Sequence, residues 1–178
     1  MNMHKEIQNE YKMMVLEKNT KLNIKNLCSR LNISRKTFYM YYQDKYALIH
    51  SIIYEDLIEP LSYLSQLKDT KVDDSIFILT SFHSKIYDHK DFYLSIYKKE
   101  ELFIQCYYEE LSKLNTILFH KKQIDNIEIE YQIHLAAASG TALLIKWIQD
   151  DFHLSPRKIS ELFFKYVTRA WKEDFELY

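Results

Sequence analysis

The chain has 178 residues, and 47% of them are apolar, which is enough to bury a core of ordinary domain size. With one glycine and two prolines, it lacks the turn residues of β-sandwiches and barrels and the glycine-rich loops of nucleotide-binding folds, so an all-α fold is expected. The net formal charge of −1 excludes a uniformly basic or uniformly acidic protein.

The amino-terminal part of the chain predicts short helices with recognisable ends. Apolar side chains at helical spacing predict a first helix over residues 7–16. Asn23 is a good amino-terminal cap for a second helix over 24–31. Asn32 can end that helix, because asparagine tolerates a left-handed backbone better than any residue except glycine.

The next segment completes a recognisable supersecondary pattern. A third helix is predicted over 35–41 with Ser34 as its cap, and Asp44 caps a fourth helix. Phe38 and Tyr42 are four positions apart and are expected to point back into the core. Two short helices joined by a tight turn, with an earlier helix to cover them, have the layout of a helix-turn-helix.

Charge is distributed unevenly between this head and the rest of the chain. Residues 1–48 contain nine Lys or Arg against four Asp or Glu, a net formal charge of +5, whereas the remaining residues contain 15 basic against 21 acidic ones, a net of −6. A basic head on an acidic body suggests that the head meets a polyanion, although chance clustering would give the same totals.

The segment over residues 22–48 resembles the DNA-binding signature of TetR/AcrR-type transcriptional regulators. The specific core of the resemblance is the run over 33–39, followed by Tyr42, Lys45 and Leu48 in the family's order without a gap. Where the family usually has Thr, Gly and often His, this chain has Asn23, Asn32 and Tyr41, and none of these changes puts the expected fold in doubt.

The resemblance implies a three-helix helix-turn-helix DNA-binding domain over 1–48 and a helical regulatory and dimerisation domain over 49–178. The helix over 35–41 would enter the major groove of double-stranded DNA. Thr37, Tyr39 and Lys45 suit phosphate oxygens, and Lys25 and Arg35 suit guanine edges. The full set expected at the DNA is Lys25, Arg35, Lys36, Thr37, Tyr39, Met40, Tyr41 and Lys45.

Apolar spacing in the body predicts six helices, of which the first is the fourth helix of the chain. The first runs over 46–67, and the next over 76–87; Asp91 can cap a short one over 92–97, and a longer one follows over 102–119. Residues 127–135 alternate like a strand, but the adjoining run of alanines favours a helix over 126–149. A last helix begins after Ser155 as its cap, with Pro156 at its first position.

The helix over 126–149 contains seven consecutive small residues, 136–142, which let another backbone approach closely. That backbone could belong to the same chain or to a second subunit. Together with the last helix, the segment resembles the dimerising helix pair of a TetR-family subgroup, which implies a homodimer reading a roughly palindromic operator. The expected interface residues are Ala137, Gly140, Thr141, Leu144, Trp147, Leu162 and Tyr166.

A pocket for an apolar or aromatic effector is expected in the body, as the resemblance implies. The residues that could line it are Phe82, Tyr87, Phe103, Tyr107, Leu114 and Tyr131.

No motif of an enzyme, a metal site or a cofactor is recognisable in the sequence. We expect no secretory signal, because the first residues are polar, and no membrane span, because no apolar run is long enough. The expected function is a cytoplasmic, homodimeric repressor released by a small molecule. The alternative is a regulator, including an activator, that a protein partner controls through the carboxy-terminal domain without an inducer.

Overall fold

The computed structural model describes residues 2–62, 72–120 and 127–168, and within these ranges it is helical with no β-strand. The expected all-α fold is therefore confirmed. The α-helices are α1 (Met3–Leu16), α2 (Ile24–Arg30), α3 (Arg35–Tyr39), α4 (Lys45–Ile53), α5 (Glu59–Ser62), α6 (Val72–Asp88), α7 (Lys90–Lys99), α8 (Leu102–His120), α9 (Ile127–Gln149) and α10 (Pro156–Phe163).

Most helix ends lie where the sequence predicts them. The Asp44 carboxylate accepts a hydrogen bond from the Ala47 amide at the start of α4, and the Ser155 hydroxyl accepts one from Lys158 at the start of α10. The predicted cap at Asp91 is wrong. The helix α7 already begins at Lys90, and Asp91 lies in its first turn, where a carboxylate favours the positive end of the helix dipole instead.

The helix that joins head and body contains a π-helical turn over Tyr54–Ile58, between α4 and α5. Two buried pairs flank the first residues of this turn: Ile52 and Ile53 directly precede it, and Leu57 and Ile58 are its last two residues. The two pairs are five positions apart, one more than an α-helical turn allows on one face, and the wider turn brings them onto the same side. Residues 63–67 of the helix predicted over 46–67 lie outside the described part of the chain.

Within the head, α1 packs over α2 and α3, as the helix-turn-helix layout requires. Ile7, Tyr11 and Met14 on α1 are buried in one apolar cluster with Leu27 of α2 and Phe38 of α3. The same cluster continues without interruption into the body, because α1 also contacts α7 and α4 contacts α8. The head and the body thus share a core, and the division at residue 48 remains a prediction.

The body is built from two helix pairs, α8 with α9 and α6 with α10. Trp147 of α9 lies at their junction, with its ring 5.0 Å from that of Phe152 and 5.7 Å from that of His83. Its indole N–H donates to the carbonyl of Leu154 over 2.9 Å, which fixes the tight connection into α10. The helix predicted over 126–149 is confirmed as α9, and the strand-like alternation in its first turns does not produce a strand.

His83 lies on α6, faces α10 and is buried among the rings of Phe82, Trp147 and Phe163. Its Nδ1 atom is 2.8 Å from the hydroxyl oxygen of Ser160. Burial lowers the pKa of His83 from 6.5 to about 4, so the imidazole is neutral in the folded protein at neutral pH.

This pKa makes the free energy of unfolding depend on pH. In the unfolded chain the histidine binds a proton below about pH 6.5, whereas in the folded chain it does so only near pH 4. The free energy of unfolding therefore decreases as the pH is lowered from about 6.5 to about 4. From pH 7 to pH 5 the loss is expected to be about 2 kcal/mol. Urea unfolding of His83→Gln should show a smaller loss, and His153→Gln, at an exposed histidine, should match the unsubstituted protein. Equal losses in all three proteins would contradict the assignment.

Candidate nucleic-acid interface

The turn between α2 and α3 is held by backbone and side-chain hydrogen bonds. The Asn23 side chain accepts from the Asn26 amide over 2.9 Å and begins α2. At the other end Asn32 adopts φ of 52°, and the Ile33 amide donates to the Cys28 carbonyl over 3.0 Å, the pattern of a Schellman motif. Asparagine therefore does at residue 32 what the sequence predicts, and it turns the chain toward α3.

The α3 helix begins at Ser34, whose hydroxyl accepts from the Thr37 amide over 3.0 Å. Phe38 has no exposed surface and Tyr42 only 4%, which confirms that these two rings belong to the core. Anchoring through these rings leaves the opposite side of α3 in solvent. Met40 is 75% exposed and Tyr39 52%.

The exposed cations around α3 are not neutralised by the protein. Lys25, Arg35 and Lys36 are exposed and make no ion pair with any described residue. Thr37 is half-buried, and Tyr39, Met40 and Tyr41 are exposed. This side of the head, which we call the α3 face, consists of Lys25, Arg35, Lys36, Thr37, Tyr39, Met40 and Tyr41.

Elsewhere in the head, Lys5, Lys12 and Arg30 are paired within the chain, whereas Lys18 and Lys21 make no ion pair with any described residue. Lys12 pairs with Asp56 at 2.5 Å, and Lys5 pairs with Glu55. Arg30 makes a bidentate ion pair with Glu17 and a further ion pair with Glu10. These two carboxylates raise the pKa of the guanidinium group. Hydrogen bonds from Arg30 and Thr20 in turn lower the pKa of Glu17. Part of the head's formal charge is thus balanced within the chain, and the described cations of the head without an ion pair are those of the α3 face together with Lys18 and Lys21.

Lys45 lies outside the α3 face. Its Nζ atom is 2.8 Å from a carboxylate oxygen of Glu100, a buried residue between α7 and α8, and 3.4 Å from the Leu22 carbonyl oxygen. The sequence places Lys45 at a DNA phosphate, and nothing in the sequence indicates its pairing with an acid 55 positions later. Glu100 is accordingly a residue that sequence reasoning misses.

The residues predicted to line an effector pocket fall into separate places. Tyr87 stacks on Trp147, and Phe82 contacts His83, which in turn contacts Trp147. Phe103 and Tyr107 form a second aromatic group, with their rings 6.3 Å apart. Leu114 is buried on α8. Tyr131 is 67% exposed on α9 and so lies away from both groups.

The second group includes Tyr93, a residue that the sequence prediction misses, whose ring is 6.2 Å from that of Phe103. Tyr93 and Tyr107 are buried, and burial raises the pKa of both phenols well above 10, so both stay protonated. Neither hydroxyl oxygen is among the fully buried side-chain nitrogen and oxygen atoms that lack a hydrogen-bond partner within the described residues.

The predicted dimer-interface residues are mostly turned toward their own chain. Ala137, Thr141, Leu144 and Trp147 are each at most 6% exposed within the single chain. A Cβ atom added to Gly140 would lie 3.1 Å from the Leu111 side chain, so the close approach at this glycine is made by α8 of the same chain. The expectation of a second subunit at these five positions therefore does not fit their intrachain burial.

Another face of α9 is exposed to solvent. Ile127, Tyr131 and Leu135 are between 62% and 68% exposed, and Ala138 and Ala142 continue the row at helical spacing. Tyr166, in the π-helical turn that follows α10, is 65% exposed, and Leu162 is half-buried. We call Ile127, Tyr131, Leu135, Ala138 and Ala142 the α9 stripe.

Other kinds of site receive no support within residues 2–62, 72–120 and 127–168. No group of three or more His, Cys, Asp or Glu there could hold a metal ion. Among the helices of these ranges, none is long and apolar enough to cross a membrane. Cys28 and Cys106 are buried and form no disulfide, and burial raises the pKa of both thiols.

Comparison with known proteins points to gene regulation. A family model described as "Transcriptional regulator C-terminal region" matches residues 73–169. The uncharacterized HTH-type transcriptional regulator YxbF of Bacillus subtilis (strain 168) is 23% identical over 158 residues, which are 83% of this chain and 40% of that protein. The chain thus spans less than half the length of this relative.

Among solved structures, the dihydroxyacetone kinase operon activator DhaS is similar, with a TM-score of 0.59 and 16% identity. The match covers 95% of this chain and 96% of that chain. At this level of identity the likeness shows a shared fold along nearly the whole chain. The matched family and the relative are transcriptional regulators rather than enzymes.

Proposed function

The chain belongs to the TetR family of transcriptional regulators, and we propose that it binds a palindromic operator as a homodimer and represses transcription until a small apolar or aromatic molecule releases it. The observation that carries the proposal is the α3 face, where exposed cations without ion pairs lie beside exposed aromatic hydroxyls. Such a surface suits a polyanion whose phosphates and base edges lie close together. This function places the protein in the cytoplasm with its DNA.

We expect some residues of the α3 face to contact the DNA backbone and others to contact the bases. Thr37 and Tyr39 would donate hydroxyl hydrogen bonds to phosphate oxygens and fix the position of the head. Arg35, at the start of α3, can donate two parallel hydrogen bonds to a guanine edge in the major groove. Met40, whose side chain is 75% exposed, can contact a thymine methyl group.

Replacing Arg35 with alanine should relax the preference for one base pair in each half-site and cost about 1–3 kcal/mol of binding free energy. Competition with duplexes substituted at single positions would measure this effect. Lys18→Ala removes the same charge from the α1–α2 connection and should leave the base preference unchanged. A uniform loss over all sequences for Arg35→Ala would show that this residue binds a phosphate instead.

A homodimer is proposed through the α9 stripe, with Tyr166 and Leu162 beside it. Large exposed apolar side chains in a row on one helix are costly in water and are typical of protein interfaces. The small side chains of Ala138 and Ala142 would let two copies of α9 approach closely. A two-fold interface places two heads at equivalent positions, which matches two half-sites of a palindrome.

Support for an effector comes from the aromatic group formed by Tyr93, Phe103 and Tyr107. An apolar or aromatic molecule with a hydrogen-bond acceptor would suit these rings and their phenol hydroxyls. This assignment retains Phe103 and Tyr107 from the sequence prediction, adds Tyr93, and leaves out Tyr131.

Footprinting with purified protein tests the proposed function. The region upstream of the protein's own gene should contain a protected segment with two related half-sites, and protection should be lost as salt rises. A reporter driven by this region should increase when the gene is deleted. A decrease on deletion would identify an activator, and absence of protection at low salt would contradict DNA binding.

A further inference from the structure

The corner where α7 ends and α8 begins holds the head at two places. Lys99, the last residue of α7, donates from its ammonium group to the carbonyls of Val15 and Glu17 at 2.6 and 2.7 Å. These carbonyls belong to the end of α1, where a cation stabilises the helix. The adjacent residue, Glu100, contacts the start of α4 through Lys45.

Glu100 has a small and defined set of partners. Its carboxylate is 5% exposed, lies 2.8 Å from the Lys45 ammonium, and accepts a hydrogen bond of 2.8 Å from the Tyr11 hydroxyl. Burial, followed by the charge of Glu100, raises the pKa of Tyr11, so this phenol remains a donor. Lys45 is therefore the one cation paired with this buried carboxylate among the described residues.

Lys45 is also placed to serve DNA. It is the first residue of α4, directly after the helix-turn-helix, and its side chain is 30% exposed. A phosphate that approached it would meet an ammonium group already paired with a carboxylate. Removing the partner of a buried charge is unfavourable, so Lys45 cannot turn fully to a phosphate while Glu100 stays where it is.

We propose that Glu100 is a positioning residue that competes with a DNA phosphate for Lys45, so that the body restrains the head's affinity for DNA. This inference rests on the proposed function and names a way in which it is regulated. Any movement of the α7–α8 corner away from α4 releases Lys45 and tightens DNA binding, and DNA binding through Lys45 in turn favours that movement. Glu100 does not itself touch DNA.

The test compares Glu100→Gln with the unsubstituted protein by fluorescence anisotropy over a series of salt concentrations. Two probes are used, the duplex protected in footprinting and a 30-base-pair duplex of arbitrary sequence. Glutamine keeps the shape and the contact with Tyr11 but removes the charge. Binding to both probes should tighten about threefold to tenfold, and the slope of log Kd against log salt should steepen by about one phosphate contact.

Glu109→Gln is the matched control. Glu109 is also an acid of the body that meets α4, where it accepts a hydrogen bond from Tyr46 and lies 3.1 Å from His50, but it does not contact Lys45. Its replacement should leave the salt slope unchanged. In a Lys45→Met background, Glu100→Gln should no longer steepen the slope, because the competing cation is absent.

An unchanged slope for Glu100→Gln, or an equal gain in the Lys45→Met background, would overturn the inference. If Glu100→Gln folds poorly, NMR of the unsubstituted protein can follow the signal of the Lys45 ammonium group instead. This signal should shift when either duplex is added. A signal that does not shift would also overturn the inference. Equal affinity for the two duplexes would contradict the proposed operator function. The competition for Lys45 would still be tested in that case, because the change in salt slope is measured on both duplexes.

Discussion

Replacing Leu135 with aspartate is expected to convert the proposed dimer into a monomer of 21.7 kDa and to lower operator affinity by about a hundredfold or more. Leu135 is 62% exposed at the middle of the α9 stripe, so the substitution leaves the fold of the single chain intact. In a two-fold interface it places two carboxylates among apolar side chains, where their desolvation has no compensation. Each monomer then binds one half-site without the second head.

Light scattering after gel filtration measures the mass, and far-UV circular dichroism checks that the helices are retained. Phe77→Asp is the matched control, since Phe77 is a large apolar residue on α6 with 71% exposure and lies outside the α9 stripe. This variant should keep the mass of a dimer. A dimer that survived Leu135→Asp would place the interface elsewhere and would favour a different partner for the α9 stripe.

Replacing Trp147 with alanine is expected to destabilise the single chain by about 3–5 kcal/mol. The indole is 2% exposed and fills the junction of the two helix pairs, and it supplies the hydrogen bond to Leu154. The variant loses this bond and opens a cavity beside His83 and Phe152, whose rings face the indole. The expected fall in Tm is about 10–15 °C for a chain of this length.

Thermal and urea unfolding measure the effect, with Phe77→Ala as an exposed aromatic control expected to stay within about 0.5 kcal/mol. The comparison separates two roles for Trp147. If the residue stabilises its own chain, unfolding shifts at every protein concentration. If it acted at a subunit interface, as the sequence prediction has it, the variant would dissociate first and the difference would vanish at high concentration.

The head was predictable because its signals are local. Asn23, Ser34 and Asp44 each cap a helix within the next three residues, and Asn32 turns the chain by its own backbone conformation. Such interactions depend on neighbours along the chain, which the sequence displays directly. The burial of Phe38 follows in the same way from its spacing within a short helix.

The small-residue helix shows where sequence reasoning fails. Seven consecutive small residues make about two helical turns, so their side chains point in every direction around the axis. The run therefore does not indicate which side of the helix packs against which neighbour. The structure turns Ala137 and Gly140 inward against the chain's own helices and Ala138 and Ala142 outward. Only the long-range packing of α9 on α8 decides between the two sides.

Lys45 shows a second limit of the same kind. Its position at a helix start next to the helix-turn-helix predicts a phosphate contact, and that prediction stays untested. The acid that holds it in the structure is Glu100, which belongs to a run of charged residues that looks solvated in the sequence. Burial of one member of such a run depends on how α7 meets α1 and α4, a tertiary property that spacing does not encode.

The π-helical turn over Tyr54–Ile58 has a consequence for comparing this chain with its relatives. The turn accommodates one residue more than an α-helix needs between Ile52 and Leu57, and likewise between Ile53 and Ile58. A relative lacking that residue would keep both buried pairs on the core by using a plain α-helix there. Gene alignments of the family should therefore place a one-residue gap inside this helix, where insertions are normally forbidden, and not in the loops beside it.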